Sequence, residues 1–345
     1  MKKKVVIVDD SRTMRGLIAQ CLETDGRFDL VGQAADPYEA REIIKRTVPD
    51  VITLDVEMPR MDGLTFLEKI MRLRPMPVVM FSTETHAGSV SAVEALSLGA
   101  VDCLGKPRMG AAETFQELAE RVFVAASARV QGRANRLAKP PSDYDWNGST
   151  VLIGASTGGV DALERVLSGM PINCPPILIS QHMPQTFLTS FAERLSAMVA
   201  PEVALARDGE SLQQGQIRIA PGGDVHLLAG LYRAGVQTRL ETGPKCNGHR
   251  PSVDVLFDSA RTLAPRVVSV LLTGMGRDGA DGMLRLRQAG AHTIGQDRES
   301  SVVYGMPRVA AELGAVAETR SLDEVATAIL AATCRSKRRR TARLC

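Results

Sequence analysis

The chain has 345 residues, 44% hydrophobic and 23% charged, with a net charge of +3, and at roughly 100–200 residues per domain it is expected to form about two domains. That balance suits a folded protein with real cores and gives no ground for a nucleic-acid binder. Much of the positive excess sits in Arg335, Lys337, Arg338, Arg339, Arg340 and Arg343, so 334–345 reads as a solvated basic tail. Six cysteines (Cys21, Cys103, Cys174, Cys246, Cys334, Cys345) lack C-x-x-C or zinc-ligand spacing, which indicates neither a disulfide framework nor a structural metal. Neither a signal-peptide pattern nor an apolar run of about 18 residues is present. The expectation is a cytoplasmic protein without membrane insertion.

From 3 to 126, strands are predicted at 4–8, 29–34, 51–54, 77–81 and 101–104, and helices at 12–24, 37–47, 64–73, 88–98 and 111–126. Five βα units in series predict a flavodoxin-like, five-stranded parallel sheet covered on both faces. Residues 127–148 are polar and lack an apolar period, which predicts a linker. From 149 to 333 strands are predicted at 150–154, 176–180, 216–220, 267–272 and 292–295, with helices at 158–169, 186–198, 252–263, 279–288 and 321–332. This predicts a second, doubly wound and mostly parallel α/β domain. The run 224–240 alternates around Ala229-Gly230 and predicts an antiparallel hairpin at its edge.

In parallel sheets function collects at the carboxyl ends of the strands. Asp9, Asp10 and Asp55 all fall there, and three carboxylates together call for a hard divalent cation, with Mg²⁺ the natural choice. Asp55 is then the expected phospho-acceptor. Lys106 is placed to pair with the new charge, and Ser82 to hydrogen-bond a phosphoryl oxygen. With the runs Asp55-Val56-Glu57-Met58-Pro59 and Met61-Asp62-Gly63 and the pair Lys106-Pro107, residues 3–126 resemble a response-regulator receiver domain. One departure is Cys103, which stands where many receivers carry an aromatic switch residue.

In the second half Gly154-Ala155-Ser156-Thr157-Gly158 fits G-x-S-x-G between a strand and a helix. Its glycines permit a sharp turn that lifts the Ser156 hydroxyl out, next to free helix N–H groups. Such a loop also suits a dinucleotide pyrophosphate, but the spacing is not G-x-G-x-x-G. The next strand ends in Gln181-His182 rather than an acid, and His182 suits a general base. Asp278, after the run Val267–Leu272, is the best orienting acid, with Asp224 and Asp254 as rivals. The Met275 N–H is the expected oxyanion donor, and Thr157 a positioning residue. No metal is expected in this half.

The stretches Gly154–Gly159, Gln181-His182-Met183-Pro184, Ala220-Pro221-Gly222-Gly223, His249-Arg250-Pro251-Ser252-Val253-Asp254 and Leu272–Gly279 resemble the catalytic domain of chemotaxis protein-glutamate methylesterases, the CheB family. The resemblance implies demethylation of glutamate γ-methyl esters on chemoreceptors, with glutamine deamidation as a second activity. It also implies a chemotaxis histidine kinase as phosphodonor. The resulting expectation is a receiver that covers the Ser156 edge until Asp55 is phosphorylated, with Arg250 either steering an acidic receptor surface or serving structure. The runner-up reading is a serine hydrolase acting on another ester or amide; a non-enzymatic regulator whose second half binds a partner or DNA lacks support, because the basic residues do not cluster on a recognition helix.

Overall fold

A computed structural model describes residues 1–82, 86–106, 112–130, 144–232 and 235–335, with main chain alone at 82, 86–88, 112–117 and 232. Most of the expected linker (131–143), nearly all of the basic tail (336–345), Pro107 and the side chain of Ser82 lie outside the described residues.

The N-terminal half alternates β1 (Lys3–Val8), α1 (Arg12–Asp25), β2 (Phe28–Ala34), α2 (Pro37–Thr47), β3 (Val51–Asp55), α3 (Gly63–Leu73), β4 (Val78–Ser82), α4 (His86–Ser97), β5 (Asp102–Gly105) and α5 (Ala112–Ala125). Local chemistry marks the starts of the helices. Ser11, Asp36 and Asp62 cap α1, α2 and α3 by accepting from free backbone N–H groups, and Pro37 opens α2 where no donor is lost. The sheet order is β2-β1-β3-β4-β5, every pair parallel. Val5–Val8 and Val51–Leu54 are wholly buried, which is why these strands read as unbroken apolar runs rather than alternating ones.

The second half contains β6 (Thr150–Ala155), α6 (Gly159–Ser168), β7 (Ile177–Gln181), α7 (Gln185–Met198), β8 (Glu202–Leu205), β9 (Gln216–Ile219), β10 (Val225–Tyr232), β11 (Gly235–Thr242), α8 (Val253–Ser259), β12 (Val267–Leu271), α9 (Ala280–Gln288), β13 (His292–Gln296), α10 (Met306–Glu312), β14 (Glu318–Arg320) and α11 (Leu322–Thr333). Seven parallel strands are ordered β14-β13-β12-β6-β7-β9-β8. β6 is the switch point, with β7 on one side and β12 on the other.

The expected hairpin is present as β10 and β11, but as a separate two-stranded ladder. Ala229-Gly230 lies within β10, not at the turn. Gly230 instead passes beneath Arg239 of β11, whose Cδ would lie 3.2 Å from an added Cβ. The expected helix 252–263 also divides, into α8 and a 3-10 segment over Arg261–Arg266 that holds Pro265, because proline cannot donate to a continuing α-helix.

The two halves pack through α4 against α6 and α7. Ala92, Val93 and Leu96 belong to the same buried apolar cluster as Leu163, Phe187 and Phe191. Polar contacts fix the register of this seam: Ser89 Oγ lies 2.8 Å from Ser190 Oγ, and Ser97 donates to the buried carboxylate of Glu164.

Candidate active site

Three consecutive strands of the large sheet deliver the three expected residues. Ser156 follows β6, His182 follows β7 and Asp278 follows β12, at the crevice where strand order reverses. Gly158 (φ +76°) begins α6, and a Cβ there would sit 2.6 Å from Val302 Cβ. Gly274 approaches from the other side: a Cβ at 274 would lie 2.7 Å from Ser156 Cβ. The main chain leading to Met275 therefore runs against the serine, and Thr273 Oγ1 ties this strand end to Thr157 O at 3.0 Å.

His182 Nε2 is 2.7 Å from Asp278 Oδ2, both side chains being almost wholly buried. Nδ1 has no hydrogen-bond partner among the described residues. Asp278 Oδ2 also accepts from the Val253 N–H at 2.7 Å. Its Oδ1 accepts from Ser252 Oγ at 2.8 Å, the Asp254 N–H at 3.1 Å and Asn247 Nδ2 at 3.1 Å. Burial opposes this charge, but the His182 bond and charge, the Val253 N–H and Asn247 outweigh it and hold the carboxyl well below the usual carboxylate range.

Of the two rivals, Asp224 is exposed ahead of β10. Asp254 is buried beside Asp278, pushed up to about 6 by burial, and bonds Asn247 and the Gly282 N–H rather than His182. Arg250 donates from Nε to Gly223 O at 2.8 Å and from Nη1 to Gly243 O at 2.6 Å, so it ties loops together. Sequence reasoning missed Asn247, Ser252 and the ring of His249, which stacks on His182 with centroids 3.7 Å apart. The dipeptide Asn247-Gly248 was the available signal.

Ser156, Thr157 and His182 line a cavity of about 360 Å³ whose opposite wall comes from the N-terminal half: Asp102, Cys103, Lys106 and Arg121. Arg121 Nη1 bonds Asp102 Oδ2 at 2.9 Å. Cys103 is buried, and burial pushes the pKa of its thiol up.

Carboxylate oxygens of Asp9, Asp10 and Asp55 lie within 4.8 Å of one another, because β1 and β3 are paired neighbours. Lys106 Nζ reaches Asp55 Oδ2 at 2.8 Å. Burial opposes the Lys106 charge, but Asp55 holds its pKa above the ordinary value. Asp9 is pushed up to about 6 by burial and by Asp55, and its buried Oδ2 lacks a hydrogen-bond partner among the described residues. An orphaned carboxylate oxygen in an all-oxygen donor set fits Mg²⁺. Gly63 packs directly on the main chain of Asp55, since a Cβ there would fall 2.0 Å from Asp55 O.

A receiver-type acidic pocket joined to a Ser, His and Asp cleft defines a response regulator with an α/β output domain of the hydrolase kind. Residues 5–119 match the response regulator receiver domain, and residues 151–329 match the family described as CheB methylesterase. The chain is 53% identical over 341 residues to the protein-glutamate methylesterase/protein-glutamine glutaminase 1 of Rhizobium johnstonii, covering 97% of each. It is 52% identical over 345 residues to the protein-glutamate methylesterase/protein-glutamine glutaminase of Agrobacterium fabrum, again covering 97% of each. Among solved structures it is similar to the CheB methylesterase catalytic domain of Thermotoga maritima, with 35% identity and a TM-score of 0.52 over 54% of this chain and 98% of that one. This chain belongs to the CheB methylesterase family. No helix among the described residues is long and apolar enough to cross a membrane.

Proposed function

We propose that this chain is a phosphorylation-gated protein-glutamate methylesterase of chemotaxis, acting on cytoplasmic chemoreceptor glutamates and also deamidating glutamines. Residues 3–126 form the receiver, 127–148 the linker, 149–333 the catalytic domain and 334–345 a basic tail. The observation that carries the reading is the buried His182–Asp278 pair, its Nδ1 without a hydrogen-bond partner among the described residues, in the cavity that Ser156 lines.

Ser156 Oγ attacks the ester carbonyl while His182 Nδ1 takes its proton, and Asp278 stabilises the imidazolium through Nε2. The Met275 N–H stabilises the developing oxyanion, and Thr157 positions the substrate. Collapse expels methanol, or ammonia from a glutamine, protonated by His182. Water then attacks the acyl-enzyme, its proton again passing to Nδ1, and a glutamate is released with Ser156 restored.

Asp9, Asp10 and Asp55 would hold Mg²⁺, which when bound neutralises charge on an incoming phosphoryl group. Asp55 is the phospho-acceptor, with a chemotaxis histidine kinase as donor, and Lys106 and Ser82 bond the new phosphoryl oxygens. The receiver's position across the cavity from Ser156 supports gating: phosphorylation favours a state in which that wall moves off. The test is methanol release from methylated chemoreceptor membranes by wild type and Ser156→Ala, with and without acetyl phosphate and Mg²⁺. Release that needs Ser156 and rises with the phosphodonor is expected. No release from wild type would refute the reading, and equal release with and without the phosphodonor would refute the gating.

A further inference from the structure

Between β11 and α8 the chain reverses within four residues, and that reversal touches the buried pair at two points. The Cys246 N–H donates to His249 O at 3.0 Å and the His249 N–H to Cys246 O at 2.9 Å. The two residues between them have φ of +51° (Asn247) and +82° (Gly248). Reciprocal bonds around two left-handed residues make a type I′ turn, for which Asn-Gly is the favoured pair.

Asn247 Nδ2 donates to Asp254 Oδ2 at 2.6 Å and to Asp278 Oδ1 at 3.1 Å. A side-chain amide carries two N–H groups, so it can bridge two carboxylates without adding a third charge. Asp254 is itself fixed to α9 by the Gly282 N–H at 2.6 Å. At the exit of the turn the His249 ring lies on that of His182, its plane inclined by 11°. A single bond to Asp278 leaves the His182 ring free to swing about that bond, and the stacked ring removes this freedom.

The geometry points to the Cys246–His249 turn as the positioning element of the His182–Asp278 pair: Asn247 fixes the carboxylate and His249 clamps the imidazole, which keeps Nε2 on Asp278 and Nδ1 free for proton transfer. Neither residue touches substrate in this assignment. The stack needs an uncharged His249, since His182 becomes an imidazolium during turnover. Burial, with the His182, Arg121 and Lys245 charges, holds His249 down to about 3 against the pull of Asp278.

The inference rests on the methylesterase reading only for its kinetic readout. Full-length wild type, Asn247→Ala, His249→Ala and His249→Phe are assayed on methylated receptor membranes with acetyl phosphate and Mg²⁺. The two alanine variants are expected to lose kcat by about 10- to 100-fold with KM nearly constant, the scale of a misplaced catalytic group. His249→Phe, which keeps a flat ring in place, is expected to recover most of that loss. In parallel, the histidine ¹⁵N signals of the same proteins report the His182 tautomer: Nε2–H alone in wild type, a mixture in the alanine variants.

Alanine variants with wild-type kcat, or a His249→Phe protein as slow as His249→Ala, would overturn the inference. A wild type that releases no methanol counts against the methylesterase reading instead. The tautomer then decides alone: an unmixed signal in both alanine variants refutes the positioning role, and a mixture supports it.

Discussion

Replacing Asp278 by Asn preserves its shape and removes one acceptor, and the structure sets the cost. Oδ2 receives His182 Nε2 and the Val253 N–H, each at 2.7 Å, while Oδ1 receives the Asp254 N–H at 3.1 Å along with Ser252 and Asn247. Each oxygen thus faces a backbone N–H that cannot turn round. Wherever the new NH₂ group lies, it leaves at least two buried donors facing each other, at about 1–3 kcal/mol apiece, so a loss of about 2–6 kcal/mol is expected. On the Oδ2 side the NH₂ also forces the wrong His182 tautomer. On the Oδ1 side it leaves the imidazolium without a counter-charge. Either way kcat should fall by about 10⁴-fold. Methanol release gives the rate. Stability comes from urea unfolding followed through Trp146, the only tryptophan in the chain, whose indole N–H bonds Ser149 O at 2.7 Å beside β6. An Asp278→Asn protein within tenfold of wild-type kcat, with an unchanged urea midpoint, would refute the assignment.

Asp55→Asn should abolish the rise in methanol release caused by acetyl phosphate, and EDTA should do the same to wild type by stripping the Asp9, Asp10 and Asp55 pocket. Ser97→Asp sets a carboxylate against the buried Glu164 across the seam. A penalty of about 1–2 kcal/mol on the closed state should raise unphosphorylated activity roughly 5- to 30-fold, and unchanged basal activity would count against gating at this seam. Gly274→Ala places its Cβ 2.3 Å from Met306 Sδ and 2.7 Å from Ser156 Cβ; overpacking should cost about 1–3 kcal/mol in Trp146-monitored unfolding and displace the serine enough to suppress turnover. His249 accepts a proton near 6.5 when unfolded but only at about 3 when folded. The unfolded state therefore binds more protons in that window, and the stability from His249 is complete above about 6.5 and lost as pH falls toward 3. His249→Phe should flatten the fall of the urea midpoint between pH 6.5 and 4.

Much of the fold was readable locally. Strands buried on both faces announce themselves as short Val/Ile/Leu runs, so β1, β3, β6 and β12 were placed within about a residue of their ends. What escaped were elements without such a signal. β8 and β14 are short, β8 opening on Glu202 and β14 (Glu318-Thr319-Arg320) carrying no apolar residue, as suits strands at the two edges of the sheet. Gly230 looked like a turn because glycine usually marks one, yet it makes room for Arg239 within the ladder. Asp9, Asp10, Asp55, Ser156, His182 and Asp278, which the structure gathers into two pockets, stand out in the sequence because polar residues at strand ends contrast with apolar runs. The turn at Asn247-Gly248 was legible too, but nothing local said that it faces His182.

The sequence by itself determined most of the strands and helices, and that Asp9, Asp10, Asp55, Ser156, His182 and Asp278 lie at or beyond the carboxyl ends of strands, because periodicity and turn chemistry act over a few neighbouring residues. Only the tertiary structure decided that β6 lies between β7 and β12, that Asp278 rather than Asp254 or Asp224 bonds His182, that Nε2 is the nitrogen engaged, and that α4 packs on α6 and α7 so that the N-terminal half walls the serine's cavity. Those choices depend on burying apolar faces and pairing buried charges contributed by segments a hundred residues apart. No local pattern records that long-range competition.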